Sequence, residues 1–208
     1  MMEQLKRSVK ILLEFVYPAM CLHCENETER PSQPLCKECF SQIEWLQRGC
    51  IYCSGPIKNR GICERCSKHP LPLQPHLSCF SSLGPISDLH ADFLYTKRAE
   101  ILAALIILGL NDLTFFPMPD CIVPLLQPRY EGFVLKRQSA VFLAKKVAKI
   151  LGCPTYLPSG KVEGKVVLLI TDWLNDVERF YAQKKRLHQF FPKRIYSIAL
   201  IDTRGDYK

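Results

Sequence analysis

A chain of 208 residues, 48% hydrophobic and 23% charged, allows one ordinary domain plus a small appendage, or two small domains, which excludes a large multidomain enzyme and a disordered chain. Its 28 Lys and Arg against 20 Asp and Glu give a net charge of +8. The charge is lopsided: residues 1–127 sum to −1 and residues 128–208 to +9, so an anion-binding face is expected in the second segment.

At the N-terminus, Leu5, Val9, Leu12, Leu13 and Val16 fall at helical spacing and Pro18 stops the run. Residues 1–18 are therefore expected to hold an amphipathic helix, Glu3–Tyr17. A lipoprotein signal ending at Cys21 is disfavoured, because Glu14 interrupts the apolar stretch and Met20 is too large for a cleavage position. The longest apolar run, Ile101–Leu110, is ten residues. A membrane span needs about 20, so none is expected and a cytoplasmic location follows as the expectation.

Residues 19–67 carry the strongest signal. Eight of the eleven cysteines form four C-x-x-C pairs: Cys21/Cys24, Cys36/Cys39, Cys50/Cys53 and Cys63/Cys66, separated by 11, 10 and 9 residues. Two residues between cysteines let a tight turn present both thiolates to one tetrahedral zinc, and a second turn completes the shell. Disulfides are the alternative, but repeated C-x-x-C is zinc spacing, and a redox dithiol needs one pair. Two zinc ions are expected. The simplest assignment is sequential, Cys21, Cys24, Cys36 and Cys39 on one ion and Cys50, Cys53, Cys63 and Cys66 on the other. Spacing alone does not exclude a crossed pairing, first with third and second with fourth. Such short segments have no core of their own, so the metal should supply their folding energy. Basic and acidic groups balance across Cys21–Cys66, so the ribbon is not an obvious nucleic-acid reader. Cys79, Cys121 and Cys153 lack partner spacing and read as buried thiols.

Residues 68–76 are Pro-rich and read as a linker. Residues 77–208 then alternate: a strand over Leu77–Leu83, two helices over Ile86–Leu110 broken near Thr96–Arg98, and a buried strand at Asp120–Pro124. A helix over Gln138–Leu151, a strand at Val166–Ile170, a helix over Val177–Phe190 and a strand at Ile195–Ile201 follow. Apolar strands alternating with helices predict an α/β parallel sheet covered on both faces, with ligands at the strands' carboxyl ends. The loop after Pro124 and a turn beginning at Thr171–Asp172 are the places to look.

The double ribbon, the linker and this α/β order together resemble the ComF family of competence-associated proteins. The matching stretches are Cys21–Cys66, Ile122–Val123–Pro124, Arg129 with Gly132–Phe133, the helix ending LAKKVAKILGCP, and Val166–Asp172. The resemblance implies a type I phosphoribosyltransferase-like domain behind the ribbon. It also implies two acidic residues and a Thr- and Gly-rich loop at the second strand end, cradling the 5-phosphate of phosphoribosyl pyrophosphate. Here that strand runs VVLLITDWLNDVER. Asp172 takes one acidic position and Trp173 the next. Asp176 and Glu178 stand where phosphate should sit, and a carboxylate there costs on the order of 1 kcal/mol or more. The pyrophosphate-side loop keeps Arg129, Gly132 and Phe133, but Val134 and Leu135 replace the family's Asn–Gln. Asp172, Asp176 and Arg129 are thus vestigial candidates, and phosphoribosyl transfer is expected to be lost.

Two basic clusters stand out in the second half: Arg129, Lys136 and Arg137 with Lys145, Lys146 and Lys149, then Lys184, Lys185 and Arg186 with Lys193 and Arg194. Aromatics are interleaved at Tyr130, Phe133, Trp173, Phe180, Tyr181, Phe190 and Phe191. Charges that track phosphates beside rings that stack bases suit single-stranded DNA. The bland alternative has the lysines solvating helices and the rings packing the core. His23, His69, His76, His90 and His188 show no metal spacing or catalytic partner. The expected function is assistance to DNA uptake by handling single-stranded DNA. The alternatives are an active phosphoribosyltransferase, with Asp172 and Asp176 on the ribose and Arg129 on pyrophosphate, and a zinc-ribbon adaptor for a helicase or other competence protein.

Overall fold

Strands buried on both faces read as continuous apolar runs rather than alternating ones, and VVLLI and IYSIALI are two such runs. The computed structural model describes residues 19–30, 32–46, 50, 61–68, 76–111, 117–126, 139–158, 160–175 and 177–203. The helix expected over Glu3–Tyr17 and most of the Pro-rich linker lie outside the described residues. Along the chain come α1 (Lys37–Ser41), α2 (Glu64–Lys68), β1 (His76–Ser81), α3 (Pro85–Thr96), α4 (Glu100–Asn111) and β2 (Cys121–Pro124). They are followed by α5 (Ser139–Leu151), β3 (Val166–Leu174), α6 (Val177–His188) and β4 (Arg194–Asp202). The four strands form one parallel sheet in the order β1-β4-β3-β2.

Helices cover both faces. On one, Phe93 of α3, Leu102 and Ile106 of α4 and Leu143 and Val147 of α5 pack on Leu168, Ile170 and Ile198. On the other, Phe180 and Leu187 of α6 pack on Val167, Leu169 and Ile195. The expected helix break falls at Lys97, left-handed at φ 60, whose N–H bonds the Phe93 carbonyl. Before α3, Gly84 at φ 74 supplies a positive φ that a β-carbon would strain, and Pro85 opens the helix.

One expectation is corrected. β3 does not end at Ile170 with a turn at Thr171–Asp172; it runs on through Leu174. The physical reason is β4, which stays paired with it as far as Trp173↔Ile201 and Leu174↔Asp202. β2 stops earlier, at Pro124↔Ile170. β3 therefore outruns β2 by the residues Thr171–Leu174, which leaves a notch in the line of strand ends.

The ribbon is joined to the sheet through its outer edge. Leu46 N–H donates to the Cys79 carbonyl at 2.8 Å, and Trp45 bridges Phe80 of edge strand β1 in antiparallel fashion. Their rings lie 4.4 Å apart. Gly109 of α4 makes room for this indole: a β-carbon there would lie 3.1 Å from Trp45 Cζ3 and 3.3 Å from Cys79 Sγ. Covering an edge strand also blocks unwanted pairing. Trp45→Ala should cost about 3 kcal/mol, seen as a lower urea midpoint at unchanged slope. An unchanged midpoint would mean that ribbon and sheet fold independently.

Candidate functional site

The cysteine pairs converge sequentially. The sulfurs of Cys21, Cys24, Cys36 and Cys39 all lie within 4.8 Å of one another, and so do those of Cys50, Cys63 and Cys66; Cys53 lies outside the described residues. Among the described residues, the Cys21/Cys24, Cys36/Cys39 and Cys63/Cys66 pairs each sit on a tight turn. Cys36 caps α1 and its sulfur accepts the Cys39 N–H at 3.4 Å. Cys63 N–H donates to Cys50 Sγ at 3.3 Å and Cys66 N–H to Cys63 Sγ at 3.4 Å. Amides aimed at sulfur favour thiolates, the species that binds zinc. A tetrahedral shell with bonds of about 2.3 Å puts its sulfurs about 3.8 Å apart, and Cys24 and Cys36 are 3.7 Å apart. The donor set fits zinc.

Electrostatics point the same way. Burial pushes the Cys21 thiol up, but hydrogen bonds at Cys24, Cys36 and His23 outweigh it and bring the value down to about 6. Burial and the neighbouring cysteines push Cys39 well above its ordinary value. One thiolate ionises readily and its neighbours then resist, so four together require a cation. His23 does not ligate; its Nδ1 pairs with Asp88 Oδ2 of α3 at 2.7 Å.

At the notch beside β3, Asp172 is 3% exposed and His90 of α3 is 5% exposed. Their Oδ2 and Nε2 atoms are 2.8 Å apart. Ser139, at the start of α5, helps hold the Asp172 carboxyl low, and the Trp173 ring lies 4.9 Å from the His90 ring. The backbone beyond β2 is equally committed. Leu125 N–H donates to the Ile170 carbonyl at 2.7 Å and Leu126 N–H to Gln183 Oε1 at 2.9 Å. From α6, Gln183 Nε2 reaches the Pro124 carbonyl at 2.7 Å and Arg179 the Leu126 carbonyl at 2.5 Å. The first residues of the loop are thus strapped to α6 and β3.

Comparison with known proteins adds identity to this geometry. Residues 12–67 match the double zinc ribbon domain. Two curated relatives, DNA utilization protein YhgH of Salmonella typhi and its counterpart in Salmonella typhimurium, are each 29% identical over 147 residues, or 65% of this chain. The match spans 63% of those relatives' length, less than two thirds. The ribbon and these relatives agree with the resemblance to the ComF family. Solved structures of similar fold include a HGPRT-ase from Leishmania tarentolae in complex with GMP, at 14% identity and TM-score 0.33, covering 56% of this chain and 68% of that one. A hypoxanthine phosphoribosyltransferase from Trypanosoma cruzi complexed with IMP gives 14% identity and TM-score 0.32, covering 56% and 64%.

The expected site residues scatter. Asp176, Arg129, Lys136 and Arg137 lie outside the described residues. Lys145 is exposed on α5, whereas Lys146 is paired with Glu100 at 2.5 Å. Lys185 and Arg186 are exposed in the last turn of α6. Lys184 is not: it is 3% exposed, one turn after Phe180 on the inward face, and burial lowers it to about 8. A lysine so enclosed does not track a phosphate backbone, which corrects its place in the basic cluster. Phe180 is fully buried, and only Phe191 of the described interleaved aromatics is strongly exposed, at 77%.

Two histidines have the partners that spacing hid. His90 meets Asp172 across the fold. His76 bonds Ser197 and Ser78, and Ser78 donates to Asp202, all four being buried between β1 and β4. No local signal marks either arrangement; an apolar strand interrupted by a buried polar residue is the only hint. Cys79 and Cys121 are buried and Cys153 is half-buried, with Cys121 pushed up by burial to about 11, as inert core thiols should be.

Proposed function

We propose that this ComF-like chain handles single-stranded DNA in DNA uptake or utilisation, and that its sheet domain does not transfer phosphoribosyl groups. The observation that carries the reading is the committed notch. A phosphate cradle works through backbone amides left open for the ligand, and here Leu125 and Leu126 spend theirs inside the protein. Asp172, 3% exposed and holding His90 through Oδ2, is withdrawn from any sugar hydroxyl. Glu178 already supplies the negative charge at the start of α6 where a phosphate would bind. The exposed cations Lys145, Lys185 and Arg186 remain for another anion. The name of the curated relatives, DNA utilization protein, supports DNA as that anion. Two zinc ions would hold the ribbon of residues 19–67, ahead of the linker at 68–76 and the sheet domain of 77–208. Reduced thiols favour the cytoplasm, and among the described residues no helix is long and apolar enough to cross a membrane.

A paired titration tests the reading. Magnesium phosphoribosyl pyrophosphate at millimolar concentration should give no heat, while labelled oligothymidylate should bind at low salt. With about four phosphate contacts, affinity should fall about fifty-fold between 50 and 200 mM salt. Lys185→Glu with Arg186→Glu should weaken it about ten-fold further. Measurable phosphoribosyl pyrophosphate binding without strand binding would reverse the assignment. The adaptor reading draws on Met20, Leu22 and Phe40, apolar and exposed around the first cysteine cluster. Capture of a purified competence helicase that survives high salt and is lost in Phe40→Asp would favour it.

A further inference from the structure

The amino-terminal edge of the sheet lies opposite the notch, and there the segments before β3 and β4 meet. Lys193 N–H donates to the Lys165 carbonyl at 2.9 Å, and Gly164 N–H to the Phe191 carbonyl at 2.9 Å. These bonds place Lys161, Lys165, Lys193 and Arg194 along one edge. Lys165 and Lys161 stand 4.8 and 5.9 Å from the Tyr156 ring centroid, and Arg194 lies 5.0 Å from that of Tyr196. Among the described residues none of the four is in an ion pair. The acidic groups on the same segments are Glu163 and Asp120, and Asp120 accepts the Val166 N–H. The last turn of α6, with Arg186 and His188, ends here too, since Phe191 N–H bonds the His188 carbonyl.

Phe191 lies on the same edge, its carbonyl accepting from Gly164 N–H. It is 77% exposed and its φ is 50. A bulky side chain in the left-handed region is strained, and Pro192 biases its predecessor toward extended backbone. Glycine or asparagine would take this conformation more easily. Burial does not compensate either, because Phe190 is the ring that packs on the core. The chain thus holds an aromatic ring outward, on a cation-lined edge, where neither backbone nor packing favours one.

We propose that Phe191 is a base-stacking platform, and that Lys161, Lys165, Lys193 and Arg194 track the phosphates of a single strand crossing this edge. The inference rests on the single-strand reading above and gives it a place away from the notch. One exposed ring on an edge lined by cations matches an unpaired base flanked by its phosphates; paired bases offer no free face.

The test uses the full, zinc-loaded chain and labelled oligothymidylate, read by fluorescence anisotropy at low salt. Phe191→Ala and Phe191→Asn should each weaken binding about ten-fold, with a thermal midpoint no lower than that of the unaltered chain. Phe191→Trp should retain affinity. Lys165→Glu with Lys193→Glu should flatten the salt dependence. If the unaltered chain binds and both Phe191 variants bind equally well, this site is overturned and the single-strand reading stands. If the unaltered chain does not bind at low salt, both fall. If Phe191→Ala loses binding to phosphatidylserine vesicles but keeps the strand, the edge is a lipid contact and the proposal is overturned.

Discussion

Chelation at neutral pH should unfold the ribbon and lower the thermal midpoint of the sheet domain with it. Cys21, Cys36 and Cys39 belong to the same buried cluster as Phe80, Phe93, Leu102 and Ile198, so the first metal shell is also a wall of the main core. A four-thiolate zinc contributes about 10–16 kcal/mol in small peptides, and the ribbon has little apolar surface to replace it. Without the ion, the crowded thiols of Cys24, Cys36 and Cys39 lose the charge that draws them together. Cys39→Ser should bind one zinc instead of two, counted by native mass spectrometry. Its midpoint should fall by about 10 °C, the effect of a few kcal/mol in a chain of this size. Cys66→Ser should likewise bind one zinc, its cluster lying against Cys121 and Val123 on the other side of the sheet. A stripped chain that keeps its midpoint would sink the idea that metal and core are one unit.

How much of this was legible follows from the range of each interaction. The C-x-x-C turns are local, so spacing alone found both cysteine clusters; their sequential grouping needed the fold. Strand and helix positions were legible for the same reason, because apolar periodicity is written over neighbouring residues. What failed was longer-ranged. The extension of β3 through Leu174 depends on pairing with β4, which no window around Thr171 contains. Lys184 reads as one of three adjacent cations, yet the helix turns it inward beside Phe180 while Lys185 and Arg186 stay out. Phe191 reads as one half of a Phe–Phe pair, and only the left-handed backbone separates it from Phe190. His90 and Asp172 stand far apart in the chain and meet only because α3 crosses the end of β3.

That last pair should be the most sensitive polar contact in the sheet domain. Asp172→Ala leaves His90 buried without its carboxylate, and breaking a buried pair costs about 3–5 kcal/mol. Asp172→Asn keeps shape but loses the charge, and a double-mutant cycle with His90→Gln should return a coupling of about 0.5–3 kcal/mol. The pH dependence has a definite sign. Burial pushes the Asp172 carboxyl up, but the hydrogen bond and charge of His90 and the Ser139 hydroxyl outweigh it, so the group lies below its ordinary 3.8. A carboxyl lowered in the folded state adds stability that is complete above 3.8 and is lost as pH falls through the lower folded value. Acid unfolding followed by tryptophan fluorescence should therefore steepen below about pH 3.8 in the unaltered chain, and Asp172→Asn should lack that step. Trp173 reports on it directly, its ring being 4.9 Å from the His90 ring. A pair maintained for catalysis rather than packing would behave otherwise: Asp172→Asn would leave the urea midpoint unchanged and remove phosphoribosyl pyrophosphate binding. Side-chain exposures of 5% for Asp172 and 7% for His90 argue for the loss of stability.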